Sequence, residues 1–132
     1  MAILALDLGG TKLAGLLLTS RGKGHPKFIR PLCGASGSAV GQMIREHVRV
    51  LHEIARAERM RISACAISVP GISRSNGTVW VPNISGWNNY PLRREIQLAL
   101  RGTEPGASKV PILIASDREC SLLGETSRGG LK

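Results

Sequence analysis

Residues 3–19 read ILALDLGGTKLAGLLLT: two apolar runs joined through Gly9-Gly10-Thr11-Lys12, with one carboxylate, Asp7, near the end of the first. Each run has the length and the Leu, Ile and Ala content of a strand, and so short a connection joins antiparallel neighbours. A buried strand gains nothing from an aspartate, and paired glycines cost it order. Bare N–H groups in a glycine turn, with the Thr11 hydroxyl and the Lys12 charge, suit phosphate oxygens, while Asp7 suits a hydrated magnesium ion. The same six residues, Asp7 to Lys12, also suit an ordinary glycine hairpin with Asp7 bonded to turn amides. Neither a Walker A loop nor the GxGxxG dinucleotide fingerprint occurs in the chain.

Working outward, residues 26–32 form a weaker apolar run, which predicts a third strand in an antiparallel meander. Beyond the small-residue loop 34–41, apolar side chains fall at Val40, Met43, Ile44, Val48, Leu51, Ile54 and Ala55. That spacing is one face of a helix, with Ser36 or Ser38 as its cap and Arg45, Glu46, Arg49, Glu53 and Arg56 outside. Residues 62–69 read as a buried strand ended by Pro70-Gly71. Ser75-Asn76-Gly77-Thr78 is a hairpin turn with residues 79–81 as its return arm. Pro91 opens a helix whose apolar face is Leu92, Ile96 and Ala99 or Leu100. A loop over 103–108, a strand over 110–115 and a last helix from Asp117 through Cys120, Leu122 and Leu123 complete the chain. The order β-β-β-α-β-hairpin-α-β-α predicts an α/β fold: a mixed sheet with helices on both faces and its loops presented at strand ends.

The 132 residues, 42% apolar and 20% charged, describe one globular domain and exclude intrinsic disorder. A formal charge of +9 raises the question of nucleic acid. The cations are scattered, however: Arg21, Lys23 and Lys27 in one loop, Arg45, Arg49, Arg56, Arg59 and Arg61 along a helix and its end, Arg93 and Arg94 on another. No nucleic-acid-binding motif accompanies them, so no nucleic-acid partner is expected, and the charge suits anionic small molecules. Cys33, Cys65 and Cys120 have neither disulfide-framework nor zinc spacing and fit a reduced, cytoplasmic protein. No export signal or membrane-length apolar run is present, so no membrane partner is expected.

Asp117 falls just past the carboxyl end of a predicted strand, where α/β sheets tend to bind ligands. A carboxylate there can take a proton from a substrate hydroxyl. Ser116 or Asp117 can equally cap the helix that follows.

Four segments in order, DLGGTK at 7–12, ISVPG at 67–71, NGTVWVPNISGW at 76–87 and SDRECSLLGE at 116–125, resemble the ROK family of sugar kinases and related repressors. That family lies within the actin/hexokinase ATPase superfamily. The resemblance implies a ribonuclease-H-like, actin-like ATPase lobe. It implies that Asp7 organises magnesium, that Gly9, Gly10, Thr11 and Lys12 approach the phosphates of ATP, and that Gly71, Asn83, Ser116 and Asp117 meet a sugar. Asp117 would be the catalytic base that deprotonates the accepting hydroxyl for attack on the γ-phosphorus. Phosphoryl transfer is mainly positioning and charge stabilisation, which is why a base, a metal and a phosphate cradle are the expected parts.

The fourth segment departs from the family's Asn-Asp-x-Asn, reading Ser116-Asp117-Arg118-Glu119. Asparagine offers a donor and an acceptor to a pair of sugar hydroxyls, and serine is shorter. The family continues with a zinc-binding His/Cys segment, a second glycine-rich phosphate loop and an adenosine pocket in a C-terminal lobe. Residues 1–132 are accordingly expected to be a single N-terminal lobe, lacking the C-terminal lobe and its zinc site. The expectation is a glucokinase-like kinase of a hexose or N-acetylhexosamine, using ATP and Mg2+, with little activity as an isolated lobe. The alternative is a non-catalytic ROK-type sugar-sensing or decayed kinase module. A homodimer, or association with a second lobe, is the macromolecular partner expected.

Overall fold

The computed structural model describes residues 2–19, 28–35, 37–101 and 110–116. Strand β1 (Ala2–Leu8) alternates: Ala2, Leu4, Leu6 and Leu8 are buried while Ile3 and Asp7 are exposed. β2 (Lys12–Thr19) pairs with it antiparallel, from Leu8 opposite Leu13 to Ala2 opposite Thr19, and β3 (Phe28–Pro31) continues the meander on β2. Helix α1 (Gly37–Ala57) then leads to β4 (Ile62–Val69), which pairs parallel to β1. A small hairpin, β5 (Ile72–Ser73) and β6 (Val79–Trp80), precedes helix α2 (Leu92–Arg101), and β7 (Ile112–Ser116) pairs parallel to β4. The main sheet is thus mixed, in the order β3-β2-β1-β4-β7. The meander, the strand over 62–69 and both helices stand where the hydrophobic patterns put them.

α1 and α2 pack against each other over one face of this sheet. The core there joins Leu4, Leu8, Leu13 and Leu17 of the strands to Val40, Ile44, Val48 and Leu51 of α1 and Leu92, Ile96 and Leu100 of α2. Each such fully buried side chain contributes roughly 1.5–3 kcal/mol. The opposite face carries Ile3, Ala5, Ala66 and the exposed Leu113, with a shallow apolar depression of about 210 Å³ between the last three and Ser68. The helix expected from Asp117, the loop over 103–108 and the cations of 21–27 lie outside the described residues.

At the start of α1 one of the two expected caps is excluded. Ser38 is its second residue and exposed, so it does not precede the helix, and Ser36 lies outside the described residues. The Gly37 N–H donates to the Ser85 carbonyl at 2.7 Å, so a distant loop helps hold the first turn of the helix. At the other end Arg59 takes a left-handed conformation (φ 57°), with Met60 N–H on the Ala55 carbonyl (2.8 Å) and Arg59 N–H on that of Arg56 (3.0 Å). This is a Schellman ending with arginine where glycine is usual. Arg45 and Glu46, read as outward residues, are half-buried and paired, with Glu95 of α2 and Arg30 of β3 respectively. His47 and His52, to which the apolar template assigned nothing, are buried on the inner side of α1.

Candidate functional site

Three parallel strands end at one edge of the sheet. β1 runs into Gly9-Gly10, β4 into Pro70-Gly71, and β7 ends at Ser116, which stands opposite Val69. Loops at the carboxyl ends of parallel strands are where α/β sheets bind ligands. Five of the sequence-predicted residues, Asp7, Gly9, Gly10, Thr11 and Lys12, occupy the first of these ends.

The β1–β2 connection is closed by the Gly9 N–H on the Lys12 carbonyl at 2.9 Å, and the Leu32 N–H holds the Thr11 carbonyl at 2.8 Å. Neither Gly9 nor Gly10 has a positive φ. A β-carbon on Gly9 would meet the Lys12 carbonyl at 3.4 Å, and one on Gly10 would meet only the Asn83 amide nitrogen, at 3.9 Å. Ordinary alanine contacts would therefore fit both positions. Neither a positive φ nor packing within the described residues demands these glycines, and without β-carbons they leave the turn backbone open to close approach.

Gly71 is the contrary case. A β-carbon there would lie 2.0 Å from the Trp80 carbonyl oxygen, so this glycine lets the β4–β5 turn close against β6. Its presence follows from packing, whatever it faces on its open side.

Asn83 is on the loop between β6 and α2, exposed, with its amide beside Gly10. The loop is anchored around it. Ile84 and Trp87 are buried, the Trp87 ring donates from Nε1 to the Gly37 carbonyl at 2.9 Å, and Trp87 stacks on Tyr90 with ring centres 4.1 Å apart. A β-carbon on Gly41 of α1 would strike the Tyr90 hydroxyl, so the ring lies directly on the helix backbone. Burial, then the nearby Glu95 carboxylate, holds the Tyr90 phenol above its usual range, against a lesser opposing pull from Arg45. A rigid anchor below and an exposed amide above bring Asn83 to the glycine turn.

Asp7 is exposed, and its Oδ1 accepts a hydrogen bond from the Ser68 hydroxyl at 2.6 Å. Ser68 stands opposite Asp7 in the β1–β4 register. Ser68 was missed in the sequence, although a hydroxyl two residues before Pro70-Gly71, one of two in an otherwise apolar strand, is a visible irregularity. Among the described residues the other Asp7 oxygen, the Thr11 hydroxyl, the Lys12 ammonium and the Asn83 amide make no hydrogen bond or ion pair. The turn therefore offers donors and one positive charge to an anion, and one carboxylate oxygen to a cation.

No cluster of three or more His, Cys, Asp or Glu side chains exists among the described residues. One carboxylate fits magnesium, which keeps several waters and takes the rest of its shell from phosphate oxygens. Burial pushes the Cys65 thiol up to about 12, which leaves it inert as a nucleophile. Asp117, the expected base, lies outside the described residues, as do Arg118 and Glu119. Ser116 is half-buried at the end of β7. Among the described residues no helix is long and apolar enough to cross a membrane.

No protein-family profile and no curated protein matches the chain. Solved structures do. The ROK hexokinase of Thermus thermophilus is 25% identical, with a TM-score of 0.72 over 95% of this chain and 38% of its own. The ROK-family glucokinase of Streptomyces griseus, solved with glucose and AMPPNP, is 19% identical, with a TM-score of 0.71 over 95% of this chain and 36% of its own. A ROK-family transcriptional regulator, homologous to the E. coli MLC protein, is 21% identical and reaches 0.76 over 94% of this chain and 30% of its own. The chain spans between 30% and 38% of the length of these proteins. It has the fold of the N-terminal lobe of the ROK kinases and regulators.

Proposed function

We propose that this chain is the N-terminal lobe of an ATP-dependent kinase of a hexose or N-acetylhexosamine, acting in the cytoplasm, with a second lobe supplying the adenosine pocket. The observation that carries this reading is the glycine turn. Gly9 and Gly10 are demanded by nothing within the described fold, and the exposed side chains of Asp7, Thr11, Lys12 and Asn83, with donors and a carboxylate oxygen unpaired among the described residues, stand around them. In this reading Gly9, Gly10, Thr11 and Lys12 receive the ATP phosphates and Asp7 holds magnesium through water. Gly71, Asn83 and Ser116 face the sugar. Asp117 takes the proton of the accepting hydroxyl as its oxygen attacks the γ-phosphorus, and ADP leaves.

Calorimetric titration of the chain with glucose, N-acetylglucosamine and N-acetylmannosamine, with and without Mg·ATP, tests the reading, together with a coupled assay of sugar phosphate. Sugar binding that Asn83→Ala weakens, and any phosphoryl transfer that Asp117→Ala lowers by about 10²–10⁴-fold, support it. Binding of neither sugar nor nucleotide would sink it.

A second reading is a sugar-sensing module without transfer chemistry. It draws on the TM-score of 0.76 with a transcriptional regulator and on Ser116 standing where the kinases have asparagine. Sugar binding with no nucleotide binding selects it over the kinase.

A further inference from the structure

The 2.6 Å hydrogen bond from Ser68 to Asp7 joins two strands at the edge where the candidate ligand turns converge. Adjacent parallel strands place opposed β-carbons about 5 Å apart, so a short carboxylate and a short hydroxyl just reach each other across the pair. Asp7 and Ser68 are such opposed residues. Around Ser68 the sheet face is apolar, lined by Ala5, Ala66, Leu113 and Ala115. Asp7 is the one hydrogen-bond partner of the Ser68 side chain among the described residues. The bond engages one carboxylate oxygen and restrains rotation of the carboxylate, so the second oxygen is left for another partner.

We propose that Ser68 is the positioning residue of Asp7: its hydroxyl holds Oδ1 so that the other oxygen is set to receive a water bound to a divalent cation. The proposal rests on the reading of Asp7 as a magnesium-organising carboxylate. Partners that orient a metal-binding side chain typically account for 10- to 100-fold in affinity, and a water-mediated contact falls at the low end.

Two measurements on the full chain test it. In the metal-free protein, the carboxyl ¹³C resonance of Asp7 shifts in Ser68→Ala and returns towards its original position in Ser68→Thr, whose extra methyl the adjoining depression can accept. Mn2+ uptake in the presence of ATP, followed by water-proton relaxation, weakens about tenfold in Ser68→Ala, is kept in Ser68→Thr and is lost in Asp7→Asn. If Ser68→Ala takes up Mn2+ as the unaltered chain does while Asp7→Asn does not, the role of Ser68 is overturned and that of Asp7 stands. If Asp7→Asn binds like the unaltered chain, or the unaltered chain takes up no Mn2+, the magnesium reading of Asp7 falls and the proposal with it.

Discussion

Gly71 lies so close to Trp80 that a β-carbon added to it would sit 2.0 Å from the Trp80 carbonyl oxygen and 3.0 Å from the carbonyl carbon. Both atoms are backbone, so no rotamer change relieves the clash. Gly71→Ala is expected to cost about 2 kcal/mol or more, because the β4–β5 turn and β6 must part. Chemical denaturation measures it. A loss under 0.5 kcal/mol would mean that the turn has other ways to close.

At Arg59 the expected change has the opposite sign. A residue with a β-carbon pays roughly 1 kcal/mol to occupy the left-handed region, and the two Schellman hydrogen bonds hold Arg59 there. Arg59→Gly removes that cost and adds some unfolded-state entropy, for a net gain of about 0.5 kcal/mol. A rise in Tm of a few degrees is expected. A fall would show that the arginine side chain makes contacts outweighing the strain.

Trp87 ties the Asn83 loop to the start of α1. Trp87→Phe keeps an aromatic surface against Tyr90 but leaves the Gly37 carbonyl without its ring N–H donor. The expected cost is about 2 kcal/mol, from a lost hydrogen bond plus a smaller ring in a fully buried site. Hydrogen exchange should rise in the loop 81–90 and at Gly37, whose N–H is held by Ser85 of that loop. Faster exchange spread evenly over the sheet, with the loop unaffected, would disconnect Trp87 from the placing of Asn83.

What could be read from residues alone, and what could not, divides along a physical line. β1, β2, β4 and the buried faces of α1 and α2 are repeated patterns, most of them closed by Gly or Pro, and each was legible because many weak preferences agree. The features that were not legible are single long-range contacts. The Ser85 carbonyl holds the N–H of Gly37 at the start of α1, Trp80 imposes the glycine at position 71, and Ser68 meets Asp7 across 61 positions of sequence. His47 and His52 escaped because apolar periodicity does not count a histidine as an inward residue. At the site, DLGGTK was legible as a glycine turn between two antiparallel strands, whereas the approach of Asn83 to Gly10 depends on how a distant loop is anchored.

The two thiols among the described residues should separate by reactivity. Cys33 is exposed, and Cys65 is buried with its thiol pushed up to about 12 from an ordinary value of 9.0. In a Cys120→Ser background, a thiol-specific disulfide reagent at pH 8 should modify Cys33 and spare Cys65 until the protein unfolds. The raised value also sets a sign. Burial favours the neutral thiol, so its contribution to stability is complete below pH 9 and is lost as pH rises towards about 12. Cys65→Ala should therefore flatten the alkaline side of the stability profile. Equal labelling rates for Cys33 and Cys65 in the native protein would contradict the burial.

Gly10 provides the sharpest contrast with Gly71, because the two glycines stand at neighbouring strand ends for different reasons. Gly10 has no positive φ, and among the described residues the one neighbour of an added β-carbon is the Asn83 amide at 3.9 Å. In the free protein Gly10→Ala should leave stability unchanged or raise it by about 0.4–1 kcal/mol, through the reduced freedom of the unfolded chain. If the turn receives phosphate oxygens at van der Waals distance, the same methyl occupies their place. Binding of ATP, with Mg2+ present, should then weaken at least tenfold while Tm is maintained. A variant that loses stability as Gly71→Ala does would return Gly10 to the fold. A variant that retains both stability and nucleotide binding would remove the phosphate turn from the proposed function.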